Sequence, residues 1–162
     1  MIVLASIVFS LQGLRSDNRN VQDLSSLCLL LELMQGELEA KASPLPELFD
    51  YLEPYATAGS AHLVQQMKRK LPDLGTVTFS QIWESCVKES FSTMDKPLLR
   101  ELLSLGAVLG RYDTTRQCEA IRTCLAAVRA RLEEAVKNRP QRYKLLLGLP
   151  MTAGTLLILL LI

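Results

Sequence analysis

The chain has one histidine, His62, and none of its four cysteines, Cys28, Cys86, Cys118 and Cys124, is spaced C-x-x-C with another. Zinc and thiol-redox centres need ligands at such close spacing, so neither is expected. There is no G-x-S-x-G elbow, no G-x-x-x-x-G-K-S/T phosphate loop and no H-E-x-x-H helix. The commonest signatures of serine hydrolases, nucleotide hydrolases and zinc peptidases are therefore missing. An excess of charge is missing too: 18 Lys+Arg stand against 17 Asp+Glu, a net charge of +1. A nucleic-acid binder would show a broad basic surplus. Aromatics make up only 6% of the residues, and no stretch of strand length alternates with period two, which argues against a sheet. No catalytic residue, cofactor or metal ligand is expected. Scattered thiols in a chain of this size fit a reducing compartment, with Cys28 and Cys118 behaving as small hydrophobes on apolar faces.

Apolar residues, in contrast, are plentiful at 49%, and the mean hydropathy is +0.18. Much of that excess sits at the two ends. Residues 145–162 read LLLGLPMTAGTLLILLLI, with no ionisable side chain. At about 1.5 Å per residue they reach roughly 27 Å, close to the thickness of a bilayer's hydrocarbon core. Gly148, Pro150 and Gly154 are tolerated in a membrane helix. Lys137, Arg139, Arg142 and Lys144 precede this segment with Tyr143 among them, the pattern of a cytoplasmic flank. Residues 1–14, MIVLASIVFSLQGL, form a shorter apolar run of roughly 21 Å followed by Arg15 and Arg19. Either its true start lies upstream or it thins the bilayer locally. The expected organisation is a transmembrane segment at 1–14, a helical bundle at 15–144 facing the cytoplasm, and a transmembrane helix at 145–162.

The middle reads as helix throughout. Val21, Leu24, Leu27, Cys28, Leu31, Met34 and Leu38 recur at steps of three and four, one face of a helix over about 18–41. SPLPELFDYLEPY breaks and restarts it, with Ser43 as cap and Pro44 and Pro46 in the first turn. A third helix is expected over 60–71, ending at Pro72. A fourth opens at Thr78 or Ser80 with Ile82, Trp83, Cys86 and Val87 inward. A fifth opens at Asp95 as N-cap and stops at Gly110 in the left-handed conformation. The sixth, capped by Asp113, carries Cys118, Ile121, Leu125, Val128, Leu132 and Val136, a seam built for another helix. The fold expected is all-α, an antiparallel bundle of about six helices joined by short turns, with apolar transmembrane segments at both ends.

Few residues stand out chemically. His62 reads as a surface histidine, and Lys68-Arg69-Lys70 as a solvated helix end favoured by the helix dipole. Glu32, Glu37, Glu39 and Glu47 form an acidic patch, either a solvated face or a docking site for a basic partner. Gly106 and Gly110, four apart, permit close helix approach or a turn.

Three stretches, in order, carry a resemblance: Glu37-Leu38 followed by SPLPELF (43–49), LLSLGAVLGRYDTTRQ (102–117), and Arg142-Tyr143-Lys144 leading into an apolar tail that ends LLILLLI. Together with the two apolar ends they resemble the stage III sporulation protein AB family of endospore-forming bacteria. Leu48 departs from the alanine usual at its position, and Tyr112 from a small polar residue. The resemblance implies a bundle similar to the cytoplasmic domains of the type II secretion F family. It also implies a non-enzymatic platform in a channel joining mother cell and forespore, in the mother-cell membrane around the forespore. The partners implied are the lipid bilayer, a secretion-type sporulation ATPase and other membrane proteins of the channel, with a homo-oligomer compatible and no nucleic acid. The motif residues it points to for partner contact are Glu37, Pro44, Leu45, Glu47, Gly106, Gly110, Asp113 and Gln117. Turn chemistry alone also accounts for most of these types.

A reading from another class is a tail-anchored adaptor that binds an amphipathic partner helix in an apolar groove. A membrane enzyme would need His62 to meet Glu32 and a cysteine across the bundle. On the platform reading, charge reversal at Glu37 or Glu47 is expected to weaken complex assembly with the fold intact, measured as partner recovery against melting temperature.

Overall fold

The computed structural model describes the backbone of residues 2–111 and 113–161, and the side chains of residues 18–111 and 113–137. Six α-helices follow one another: α1 (Ile2–Lys41), α2 (Leu45–Leu52), α3 (Ala58–Lys70), α4 (Phe79–Ser90), α5 (Lys96–Leu109) and α6 (Thr114–Leu161). Short 3-10 turns at Glu53–Tyr55 and Leu71–Asp73 extend α2 and α3. No strand occurs among the described residues; Leu74 and Val77 form only an isolated bridge across a turn. The all-helical expectation holds.

The helix directions follow from side-chain pairs. Glu32 meets Arg129 at 2.7 Å and Glu39 meets Arg122 at 3.5 Å. Seven residues forward on α1 thus match seven backward on α6, so these two helices are antiparallel. Trp83 lies against Gly106 and Phe79 against Gly110, which sets α4 against α5 in the same way. His62 reaches Ser90 and Lys70 reaches Ser85, which makes α3 and α4 antiparallel. Asp95 pairs with Arg131, so α6 doubles back along α5 after the turn at 110–113. The contacts α1–α3–α4–α5–α6–α1 close a ring. Four antiparallel steps around a ring of five leave α1 and α3 parallel. Asp23 on α1 fixes their level by accepting a hydrogen bond from the Gly59 amide at 2.9 Å. The return stroke between them is α2, which packs outside the ring, mainly on α1 and α3.

The core runs through all six helices. Leu27, Leu31 and Met34 of α1, Phe49 of α2, Met67 of α3, Trp83 of α4, Leu102 of α5 and Ile121 of α6 are fully buried. The α6 seam does receive another helix. Cys118, Ile121, Leu125 and Val128 are buried, but against α1 of the same chain, while Leu132 is half-buried and Val136 exposed. That stretch is therefore filled within the bundle and offers no open groove to a partner helix.

Several caps differ from expectation. Pro44, not Ser43, precedes α2, and Asp95 makes no capping bond because its carboxylate accepts from Arg131. Gly110 is right-handed, with φ −90° and ψ −5°, so a left-handed stop is not its purpose. A Cβ on Gly110 would lie 2.8 Å from Phe79 Cβ, and one on Gly106 would lie 2.2 Å from Trp83 Cδ1. Both glycines let α4 approach α5. The left-handed non-glycine residues among those described are Ala42 (φ 48°), at the end of α1, and Ala58 (φ 48°), at the start of α3. Thr78 does cap α4, exchanging hydrogen bonds with Gln81.

The segment ahead of the packed part of α1 and the segment after the packed part of α6 leave the bundle at one end, since these helices are antiparallel. The opposite, loop end gathers the starts of α2, α4 and α6 and the ends of α1, α3 and α5. No helix among the described residues is long and apolar enough to cross a membrane. The apolar segments 1–14 and 145–162 lie outside the residues whose side chains are described.

Gly106→Ala should lower stability by about 1–3 kcal/mol, the usual cost of forcing a methyl into a packed core. Chemical denaturation with the Trp83 fluorescence as probe checks it.

Candidate functional site: the loop end of the bundle

The Lys41–Leu45 corner and the Leu109–Thr114 turn come from distant parts of the chain, and ring closure brings them side by side. Leu38, Ser43, Pro44, Leu45, Leu109, Gly110, Arg111, Thr114 and Gln117 line one open groove of about 410 Å³. It continues past Leu45, Gly110 and Arg111 into a second of about 430 Å³, walled by Leu74, Gly75, Thr76, Val77 and Phe79. Leu74 and Val77 stand out at its rim, 38% and 39% exposed, on a turn made possible by Gly75 at φ 114°.

The corner is held from within by Glu37. Its side chain is only 9% exposed, and its carboxylate accepts from Ser43 Oγ at 2.9 Å and from Lys41 Nζ at 3.1 Å. The Ser43 hydrogen bond, followed by the Lys41 bond and charge, holds the Glu37 carboxyl below the usual glutamate range. Across the groove, Asp113 accepts the Arg116 amide at 3.0 Å and so caps α6, and the Gln117 amide bonds the Asp113 carbonyl.

Of the sequence-derived residues, Pro44, Leu45, Gly110 and Gln117 line the groove, and Asp113 and Glu37 build its two walls. Glu47 lies further along α2, exposed and outside the groove, and Gly106 is buried under Trp83. The acidic patch is largely neutralised: Glu32, Glu37 and Glu39 are each paired with Arg129, Lys41 and Arg122 respectively. Leu74, Val77 and Arg111 were not singled out by the sequence. Two apolar residues flanking a turn glycine were the available signal.

Over residues 1–162 the chain matches the family model of stage III sporulation protein AB. The chain belongs to the stage III sporulation protein AB family. No curated protein and no solved structure matches it. Membership makes this a sporulation protein, and the motifs that carry the resemblance are, for the most part, those that meet at the loop end.

Nothing in this family member assembles a reaction centre among the described residues. His62 bonds Ser90 Oγ at 2.9 Å on the α3–α4 face, whereas Glu32 is engaged with Arg129 between α1 and α6. All four cysteines are free and buried. Burial raises each thiol's pKa, that of Cys124 to about 12, so they stay protonated and unreactive at neutral pH. No group of three or more potential metal ligands occurs among the described residues.

Because folding lowers the Glu37 pKa, its contribution to stability is full above the ordinary value of 4.5 and is lost as pH falls through the folded value. Glu37→Gln should therefore melt below wild type at pH 7, so the expectation that a charge change at Glu37 leaves the fold intact does not hold for this residue. The gap should close as the pH drops well under 4.5. Melting curves at a series of pH values check this.

Proposed function

We propose that the chain is a non-enzymatic membrane platform of a sporulation channel between mother cell and forespore. In this reading the apolar segments 1–14 and 145–162 anchor it in the mother-cell membrane, the bundle faces the cytoplasm, and the loop end receives a secretion-type ATPase. The supporting observation is polarity along the bundle axis. The chain leads toward both apolar segments from one end, while the motif residues and the exposed pair Leu74 and Val77 gather at the other. A surface meant for a soluble motor belongs far from the bilayer. Its open shape, apolar rim and lack of a converging polar set suit a protein partner better than a small substrate. A bundle similar to the type II secretion F domains fits the same role.

The test is recovery from sporulating cells. The chain should stay with membranes through an alkaline carbonate wash. After detergent extraction it should bring down a secretion-type ATPase and other membrane proteins of the channel. Leu74→Asp with Val77→Asp should cut ATPase recovery by about tenfold, the effect of losing one modest apolar hot spot, with the melting temperature unchanged. Recovery unaffected by that pair of changes places the motor elsewhere.

A further inference from the structure

Two outer faces of the bundle lack partners and carry opposite charge. Between residues 42 and 61 the chain has three acids, Glu47, Asp50 and Glu53, and no basic residue. All three are exposed on α2 and its 3-10 extension, beside Tyr51 and Tyr55, which are 36% and 48% exposed with ring centres 5.6 Å apart. Among the described residues Glu47 makes no ion pair, and Asp50 and Glu53 share the cation Lys68. The Tyr51 ring already accepts an ammonium, that of Lys41, at 5.8 Å from its centre.

The other face is α5. Lys96, Arg100, Ala107 and Arg111 are exposed along one side at helical spacing, with half-buried Leu103 between them. None of these three cations makes an ion pair among the described residues. Glu101 is the only exposed acid on the same helix. α2 packs mainly on α1 and α3, and α5 on α4 and α6, so the two faces lie apart along the bundle and approach each other only at the loop end, where Leu45 and Arg111 line one groove.

We infer that the α2 face of one copy docks on the α5 face of the next. The charges match in sign. From the loop end downward α2 offers Glu47, Asp50 and Glu53, and α5 offers Arg111, Arg100 and Lys96. The acids span about 9 Å and the cations about 22 Å, so Glu47 and Glu53 fall between Arg111 and Arg100 rather than opposite every cation. The two stretches meet antiparallel when both copies stand upright, and the tyrosines give the cations aromatic faces as well as carboxylates. Because the two surfaces differ, the contact is head-to-tail, and repetition gives a ring or an open row. The inference rests on the membrane reading only in that two tails in one bilayer keep the copies upright.

The experiment uses the full chain in detergent micelles, its protein mass measured by light scattering after gel filtration. Wild type should be oligomeric at low salt and shift toward monomer at about 0.5 M NaCl, where exposed charges are screened. Glu47→Lys with Asp50→Lys makes both faces basic; Lys96→Glu with Arg100→Glu makes both acidic. Each variant alone should be monomeric, and an equal mixture should reassemble, which damage to the fold could not produce. Where Asp50→Lys disturbs the Lys68 pairs, Glu47→Lys and Arg111→Glu serve as the second pair. Wild type monomeric up to about 100 µM, reversed variants still oligomeric, or folded variants that fail to reassemble when mixed would each overturn the inference. Failure of the membrane reading is separate: the chain would be washed from membranes while the mixture still reassembled.

Discussion

The pairing of α1 with α6 is the contact on which the rest of the structure depends. It joins the two ends of the chain and closes a ring whose other contacts, apart from that of α1 with α3, are all between helices adjacent in sequence. Without it the successive hairpins would each bury one side and leave the other wet, and α1 would keep only its contacts with α2 and α3. The ion pairs Glu32–Arg129 and Glu39–Arg122 flank this seam but do not hold it. Both are exposed, and exposed pairs contribute at most about 1 kcal/mol. They fix direction and level, while the burial of Ile121, Leu125 and Val128 against α1 supplies the stabilisation.

Closure in a ring of five has a geometric consequence. An odd ring cannot alternate direction throughout, so one neighbouring pair must be parallel, and a parallel pair needs a return segment outside the ring. That segment is α2. It is short because it must only cross the bundle once, and its 3-10 extension at Glu53–Tyr55 brings the chain down to Thr57 and the Asp23–Gly59 bond. The exposed tyrosines follow from this position: α2 has one face on α1 and α3, and no helix covers the other.

The number of the helices, most of their inward faces and their limits within the bundle to a residue or two were legible because each is a local property. By contrast, α1 (Ile2–Lys41) and α6 (Thr114–Leu161) run on unbroken past the limits expected near 18 and 144. Spacing of Leu, Ile and Val at three and four marks a buried face whatever lies opposite, and Pro44, Pro72 and Gly75 break helices by their own covalent structure. What was not legible involved a choice between partners. Asp95 could cap α5 or meet a cation, and Arg131, 36 residues away, decided it. Glu37 looked like a surface acid, yet the turn at Ala42 folds Ser43 back onto it. Gly110 looked like a helix stop, and the reason for glycine there is Phe79 on another helix. The candidate site was legible as a set of residue types and not as a place. SPLPELF and LLSLGAVLGRYDTTRQ are separated by more than fifty residues, and only the closed ring puts their turns together.

The same closure bears on how the proposed platform could respond to a motor. The loop end is built on the packed ends of α1 and α6, and each of these helices continues without a break toward an apolar end of the chain. A helix is stiff along its axis and a packed core resists shear, so a push on the Lys41–Leu45 corner or the Leu109–Thr114 turn is carried down both helices rather than absorbed in a hinge. Glu37 matters to this more than a surface acid would. By tying Ser43 to α1 it makes the corner part of the helix that leads to the other end. Gly106 and Gly110 do the same for α5 by seating it against Trp83 and Phe79. Residues read from the sequence as contacts are thus in part the fittings that make the contact surface rigid, and a rigid surface is what a non-enzymatic platform has to offer its partners.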